Sequence, residues 1–422
     1  MNHSRIFLGA LAASACVLAG CNLTSTSTSS SSAADSVTIV LNTPTGKLPY
    51  VASFTQQGAQ LATDEINKAG GISVGGKKYQ VKLLALDNEL SPTKSLDNVK
   101  RAVSEKAVAI IDDGYTVDAT YQAAADAGLP IMIDYDTNAA LVDATKRPNV
   151  YRIAPPNDAM AEHLAAYVGA KKLQLALVHD DSDYGQDGAS HLRDAFSKAG
   201  FPLSPDVTIP STGTGYSTQA LQVKQSGATG VLLWGRAPSM AQFIKDYRGG
   251  GGTAPIFAGP NAEDPIVRTQ NADHPEYIEG LTYASFRITT EVGPDPWNAF
   301  RKKYEDHNFN NGSADFKVGV QTKAKKDVVQ PPDWQLFPYD MVYLVKGALE
   351  KSGSVETSGN KLITALNGVQ IKSGNGDNRG WTKDNHEGVV DDDIYFATFT
   401  DMKFKPVQDD ALSKSLPPID QE

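Results

Sequence analysis

Cysteine is almost missing from this 422-residue chain: Cys16 and Cys21 are the only two, which excludes a disulfide framework. Positive charge is also in deficit, with 39 Lys and Arg against 49 Asp and Glu and a net charge of −10. That balance argues against nucleic acid, whose binding rests on neutralising phosphates. It equally disfavours docking on anionic lipid through a basic patch. No G-x-S-x-G elbow, H-E-x-x-H, C-x-x-C or Walker-type loop is present, and the seven histidines are scattered without metal-ligand spacing. No catalytic residue, metal site or cofactor is therefore expected. The run Gly249–Gly252 follows a helical stretch rather than joining a strand to a helix, so it reads as a turn and not a phosphate cradle. The acid pairs Asp112-Asp113 and Asp180-Asp181 cannot both face one site from a strand end, because successive side chains point to opposite faces. Asp391-Asp392-Asp393 reads as a solvated turn before a strand.

What is present begins at the N-terminus. Arg5 precedes an uncharged apolar stretch, Ile6 to Gly20, too short to span a bilayer and suited to a signal-peptide core. It ends in Leu18-Ala19-Gly20-Cys21, which resembles the bacterial lipobox. That resemblance implies removal of residues 1–20, loss of Cys16 with them, and lipidation of the Cys21 thiol. Residues 21–36 are Ser/Thr-rich, cannot bury apolar surface, and read as a tether. The expected location is the cell envelope on the periplasmic side, held to a membrane by the lipid.

The remaining chain is longer than one core usually serves, so two lobes are expected. Strands alternate with helices: Val37–Leu41, helix Phe54–Ala69 closing at Gly70-Gly71, Tyr79–Leu86, a helix from Ser91-Pro92, Ala107–Ile111, helix Val117–Ala127, Leu129–Ile133. After Pro155-Pro156 the alternation restarts with helix Ala159–Val168, strand Leu173–Val178 and helix Tyr184–Ala199. It continues through Val207–Ile209, Thr218–Gln225, Gly230–Trp234, Ser239–Tyr247 and Pro255–Phe257. Repeated βαβ units predict an α/β fold of two Rossmann-like lobes with parallel-type sheets, joined by a hinge. The expected partition is 37–154 for lobe 1 and 155–283 for lobe 2. Residues 284–367 then return to lobe 1 with a polar, Lys-rich surface insertion at 308–333, and 368–422 complete lobe 2 with a tail.

Certain words in this order resemble the type I periplasmic binding proteins, and among them the leucine/isoleucine/valine-binding proteins of ABC importers. They are Gln57-Gly58-Ala59-Gln60-Leu61-Ala62 leading to Glu65-Ile66-Asn67-Lys68-Ala69-Gly70-Gly71-Ile72, then Asn149-Val150-Tyr151-Arg152, then Leu177-Val178-His179-Asp180 with Asp183-Tyr184-Gly185. The resemblance spans about Val37 to Val407. It implies a ligand held at strand C-terminal ends facing the interlobe cleft, in agreement with the general rule for open α/β sheets.

By position, the resemblance places Tyr115 and Thr116 in one contact loop and Tyr135, Asp136 and Thr137 in another, with Thr137 where the family binds a carboxylate. Tyr184 falls on the second-lobe Tyr that closes over the ligand, and Tyr339 on a Tyr from the late first-lobe helix. Arg236 replaces a second-lobe Tyr, and Asn261 replaces the ammonium-binding Glu, with Glu263 and Asp264 close by. Each has an alternative reading: helix capping for Thr116 and Thr137, packing at a helix start for Tyr184, and core packing for Tyr339. Arg236 pairs with a second carboxylate or sits in a rim ion pair, and Asp136 receives an amine or caps the next helix. The function implied is not enzymatic: an extracytoplasmic substrate-binding lipoprotein of an ABC importer, monomeric, closing on a small polar solute such as an amino acid, amide or carboxylate. Its implied partner is an ABC permease in the inner membrane. The alternative is a ligand-sensing lipoprotein signalling to an envelope receptor.

Overall fold

The computed structural model describes residues 35–286, 295–307, 309, 316–330, 334–389 and 394–407. Cys21, the expected signal and nearly all of the tether lie outside them. Two sheets organise the molecule, and both belong to one compact unit running from Asp35 to Glu422.

The first sheet carries six strands in the order β2-β3-β1-β4-β5-β6. These are β1 (Ser36–Thr43), β2 (Ile72–Val74), β3 (Lys77–Asp87), β4 (Ala107–Asp112), β5 (Ile131–Ile133) and β6 (Val150–Arg152). All neighbours are parallel except the β2–β3 hairpin. Helices α1 (Pro49–Lys68), α2 (Pro92–Ser104) and α3 (Val117–Asp126) make the crossovers. Ser91 caps α2 by accepting from the Lys94 N–H, and Pro92 takes the first turn, where its missing N–H costs nothing. Gly70 and Gly71 end α1 with φ of 97° and 83°, and a side chain on Gly71 would strike the Tyr79 carbonyl.

Alternate residues of the buried strands serve opposite faces. Ile39, Leu41, Ala109 and Ile111 pack with α1, while Val40, Ala107 and Ile110 pack with α2 and α3 residues such as Val99 and Val117. Burial on both faces is why β4 reads as a continuous apolar run rather than an alternation.

The second sheet has seven strands in the order β17-β16-β11-β10-β9-β7-β8. Five run parallel: β7 (Leu175–Asp180), β8 (Asp206–Ile209), β9 (Gly230–Trp234), β10 (Ile256–Ala258) and β11 (Thr282–Phe286). They are covered by α4 (Asn157–Gly169), α5 (Asp183–Lys198), α6 (Ser217–Gln225), α7 (Ala237–Gly249) and the short α8 (Pro265–Gln270). Val178, Val231 and Leu233 face one core, and Leu177, Leu232 and Trp234 the other.

The last third differs from expectation in two places. Helix α9 (Asp295–His307) and α10 (Leu336–Ser352) carry Tyr304, Phe337 and Leu344 into the first lobe's core, but residues 316–330 between them are no polar excursion of that lobe. Strands β12 (Phe316–Gln321) and β13 (Asp327–Gln330) pair as a hairpin, and Val318, Val320 and Val328 join the second lobe's core beside Phe399. Two valines spaced by two residues give the hairpin an apolar face that its Lys-rich composition hides. The return to lobe 2 also comes later than residue 368. Helix α11 (Lys361–Leu366), Val369, Trp381 and Val389 belong to the first core, where β14 (Gln370–Lys372) and β15 (Asn378–Gly380) form a second hairpin. Only β16 (Ile394–Thr400) and β17 (Lys403–Pro406) pair antiparallel at the edge of the second sheet.

Candidate functional site

The parallel strands of each sheet end in loops that meet between the lobes, and these loops carry most of the residues singled out from the sequence. In the first lobe the loops after β4 and β5 touch. Gly114 adopts φ of 103°, and a Cβ there would lie 2.4 Å from the Asp136 Cβ, so only glycine permits the approach. The loop is held from below by its own acids: Asp112 accepts from the Gly114 N–H at 2.7 Å and Asp113 from the Tyr115 N–H at 2.9 Å.

Their other oxygens diverge, as neighbouring residues at a strand end must. Asp112 accepts from Asn42 at 2.7 Å and Asp113 from Asn88. A third acid, Asp134, accepts from the Thr55 hydroxyl at 2.7 Å. All three carboxyls are buried, and burial pushes each upward from the ordinary carboxylate range, Asp112 to about 6. Asp113 is raised further by the charge of Asp112.

Above this floor lie the candidate ligand residues. Thr116 does not cap α3; its hydroxyl sits 2.7 Å from Ser95, within the buried polar network. Tyr135 packs on Trp334 with centroids 4.9 Å apart, on Phe54 at 5.7 Å and on Tyr115 at 6.0 Å. Asp136 turns the backbone by accepting from the Asn138 N–H at 2.9 Å, and its carbonyl accepts from Arg152 at 3.1 Å. Burial lifts Asp136 to about 6, against the pull of the Asn138 N–H and the Arg152 and Arg236 charges. Thr137 donates to Asn157 at 2.6 Å, at the start of α4.

The second lobe's side is built around Asp180, the last residue of β7. Its carboxylate accepts from the Ser182 hydroxyl at 2.5 Å, the Arg236 N–H at 2.6 Å and the Ser239 hydroxyl at 2.7 Å, with the Ser182 N–H at 3.3 Å. It thereby fixes the starts of α5 and α7, a structural role that accounts for a carboxylate at this position. Gly185 and Gly235 leave room for it, since a Cβ at either would meet Asp180 within 3 Å.

Tyr184, in the first turn of α5, is 4% exposed and stacks on Trp234 at 5.9 Å. Trp234 is in turn seated under Gly188 and Gly259, whose added Cβ atoms would strike its ring. The Tyr184 hydroxyl is buried without a partner of good hydrogen-bond geometry. Burial raises its pKa, while the nearby Thr137 hydroxyl pulls the other way. Arg236 precedes α7, and its guanidinium lies over the Tyr115 ring of the first lobe, 5.3 Å from the centroid. Asn261 accepts from the Tyr135 hydroxyl at 3.2 Å and donates to the Gly235 carbonyl at 3.1 Å. Asp264 caps α8 through the Ile266 N–H and is pushed up to about 6 by burial.

The structure therefore brings Tyr115, Tyr135, Asp136, Thr137, Tyr184, Arg236 and Asn261 to one cleft, with Thr116 in the floor beneath. Tyr339 is corrected. It stands on α10 with its hydroxyl donating to Glu65 of α1 at 2.7 Å and accepting from Lys303 at 3.0 Å, inside the first lobe. Trp334 and the buried acids were not anticipated. Trp334 lacks any periodic context, being flanked by Pro331-Pro332 and the start of α10. Among the described residues, no three or more His, Cys, Asp or Glu are arranged to hold a metal, and no helix is long and apolar enough to cross a membrane.

Residues 39–403 match the profile of the periplasmic binding protein family. The chain belongs to that family. Its members are binding proteins rather than enzymes, and the family implies an extracytoplasmic location. Within it the chain is similar to proteins named for leucine, isoleucine and valine binding. It is 25% identical to Leu/Ile/Val-binding protein homolog 7 of Brucella melitensis over 280 residues, covering 61% of this chain and 68% of that one. In fold it is similar to the substrate binding protein LivJ of Streptococcus pneumoniae in complex with isoleucine, with a TM-score of 0.72 at 20% identity over 91% of this chain and 99% of that one. It is also similar to a solute binding protein of R. palustris in complex with benzoate, with a TM-score of 0.69 at 17% identity, covering 92% and 98%. Two α/β lobes of the type I class are thus shared with proteins whose ligands differ widely.

Proposed function

We propose that this periplasmic binding protein is the lipid-anchored solute receptor of an ABC importer, closing its two lobes over a small polar solute. The solute is an amino acid or a related amide or carboxylate; isoleucine and benzoate, bound by the two structural neighbours, bracket its size. The observation that carries the reading is the pair of contacts crossing the cleft: Tyr135 to Asn261, and Arg236 over Tyr115. A ligand touching both sides favours the arrangement in which the lobes meet, which is how hinge closure couples to binding. The Asn157 amide donates to Asp187 at 2.7 Å, and Asp187 also lies 3.4 Å from the Ala139 N–H, adding a further tie at the rim. Lipid attachment at Cys21 rests on the lipobox-like Leu18-Ala19-Gly20-Cys21 alone.

A thermal-shift screen of amino acids, amides, carboxylates and polyamines tests the binding role, since a ligand of the folded form raises its melting point. Small-angle scattering with the best hit should show a smaller radius of gyration. A hit that raises the melting point with no compaction overturns closure. Cys21→Ser should release the protein from membrane fractions, and persistent attachment overturns the anchor.

A further inference from the structure

The cleft contains a cation that has no ion-pair partner among the described residues. Arg236 is half-buried, and its Nε is buried without a hydrogen-bond partner. Its backbone is immobilised: the N–H is bound by Asp180, and its carbonyl accepts from the Ser239 hydroxyl at 2.8 Å. The guanidinium lies over the Tyr115 ring, 5.3 Å from the centroid, and its Nε–H is left as an unused donor.

A half-buried guanidinium whose Nε–H is buried without a partner is favoured by an anion that can accept from it. Asp136 and Asp181 are near enough to feel its charge, but neither comes within ion-pair reach, and each already accepts from backbone N–H groups, of Asn138 and Ser211. Asp264 lies on the same side of the cleft, close enough for its charge to bear on Tyr115 and Tyr135. With these acids around one guanidinium, a dianionic phosphate would be under-compensated. A planar monoanion that meets the fork with two parallel hydrogen bonds fits.

We infer that Arg236 is a specificity-determining residue that pairs with a carboxylate presented toward the second lobe, so the ligand lies with its anionic group away from the Thr137 loop. This rests on the binding role proposed above and adds the ligand's charge and orientation. Tyr115 lies against the guanidinium, and the buried Tyr184 hydroxyl is another donor of the second lobe without a partner of good geometry.

The test uses the full-length protein and three matched sets of probes: benzoate with benzamide, 3-methylbutanoate with its amide, and L-leucine with L-leucinamide. Binding is read by calorimetry and thermal shift on wild type, Arg236→Gln and Arg236→Lys. At least one carboxylate should bind wild type, with its amide about 100-fold weaker, as expected for a desolvated charge pair. Arg236→Gln should erase that preference and Arg236→Lys restore part of it. If Arg236→Gln does not fold, the Lys variant alone should still lose about tenfold, because it offers no bidentate fork. Amides binding as well as carboxylates, or a carboxylate preference that survives Arg236→Gln, overturns the inference while the solute-binding role stands. No response to any probe counts against both.

Discussion

The two lobes hold their halves of the cleft by opposite electrostatic means. The first lobe builds its floor from acids that have no cation beside them among the described residues, Asp112, Asp113 and Asp134, served there by amides, hydroxyls and backbone N–H groups. The second gathers four donors on Asp180 and leaves the Arg236 guanidinium to reach over Tyr115 in the cleft. A buried carboxyl without a counter-charge favours its proton, so pH sensitivity concentrates in the first lobe. A carboxylate saturated by donors anchors helix starts, so rigidity concentrates in the second.

Substitutions can break or sharpen that contrast. Trp334→Ala removes the ring under Tyr135 and should cost about 3–5 kcal/mol in denaturant unfolding. A loss below about 1 kcal/mol would mean the aromatic shelf of the first lobe is not a packed element. Asp180→Ala strands the Arg236 N–H and the Ser182 and Ser239 hydroxyls, and should cost about 3 kcal/mol. It should also abolish solute binding, and an Asp180→Ala protein that binds normally would show that α5 and α7 start correctly without it.

The pH contrast runs through Asp136. Its pKa is raised in the folded protein to about 6, so its stabilising contribution is complete below the ordinary value near 3.8 and is lost as pH rises through 6. Asp136→Asn keeps the acceptor for Asn138 and removes that loss. Its unfolding free energy should therefore gain on wild type between pH 4 and pH 8 by up to about 3 kcal/mol. Parallel pH profiles would refute the assignment.

Asn261→Ala cuts one bond across the cleft and should shift closure by about 1 kcal/mol, read as a larger radius of gyration with ligand at sub-saturating concentration. Tyr339→Phe should leave ligand affinity within about 0.5 kcal/mol of wild type, the scale of a substitution away from the site. A clear loss would return Tyr339 to the cleft.

The doubly wound lobes were legible because buried parallel strands such as Ala107–Asp112 read as unbroken apolar runs, and helices announce themselves through Ser91-Pro92 and Gly70-Gly71. The candidate ligand residues came from the resemblance to type I binding proteins rather than from residue pattern, and the fold brings seven of them together at the cleft. Tyr339 failed because a helix position says nothing of which neighbour it faces, and Glu65, 274 residues away in sequence, takes its hydroxyl. The β12–β13 hairpin failed because its apolar face rests on three valines amid lysines. The buried acid floor could not be read at all: burial of Asp113 or Asp134 depends on Asn88 and Thr55, which only folding brings near.

One carboxylate, Asp180, touches the roots of both α5 and α7. Tyr184 and Arg236 are therefore yoked: whatever tugs one side chain transmits force through a shared pin to the other. Selection acting on ligand choice can swap the tips of these two levers freely, but a change at the pin would disable both at once.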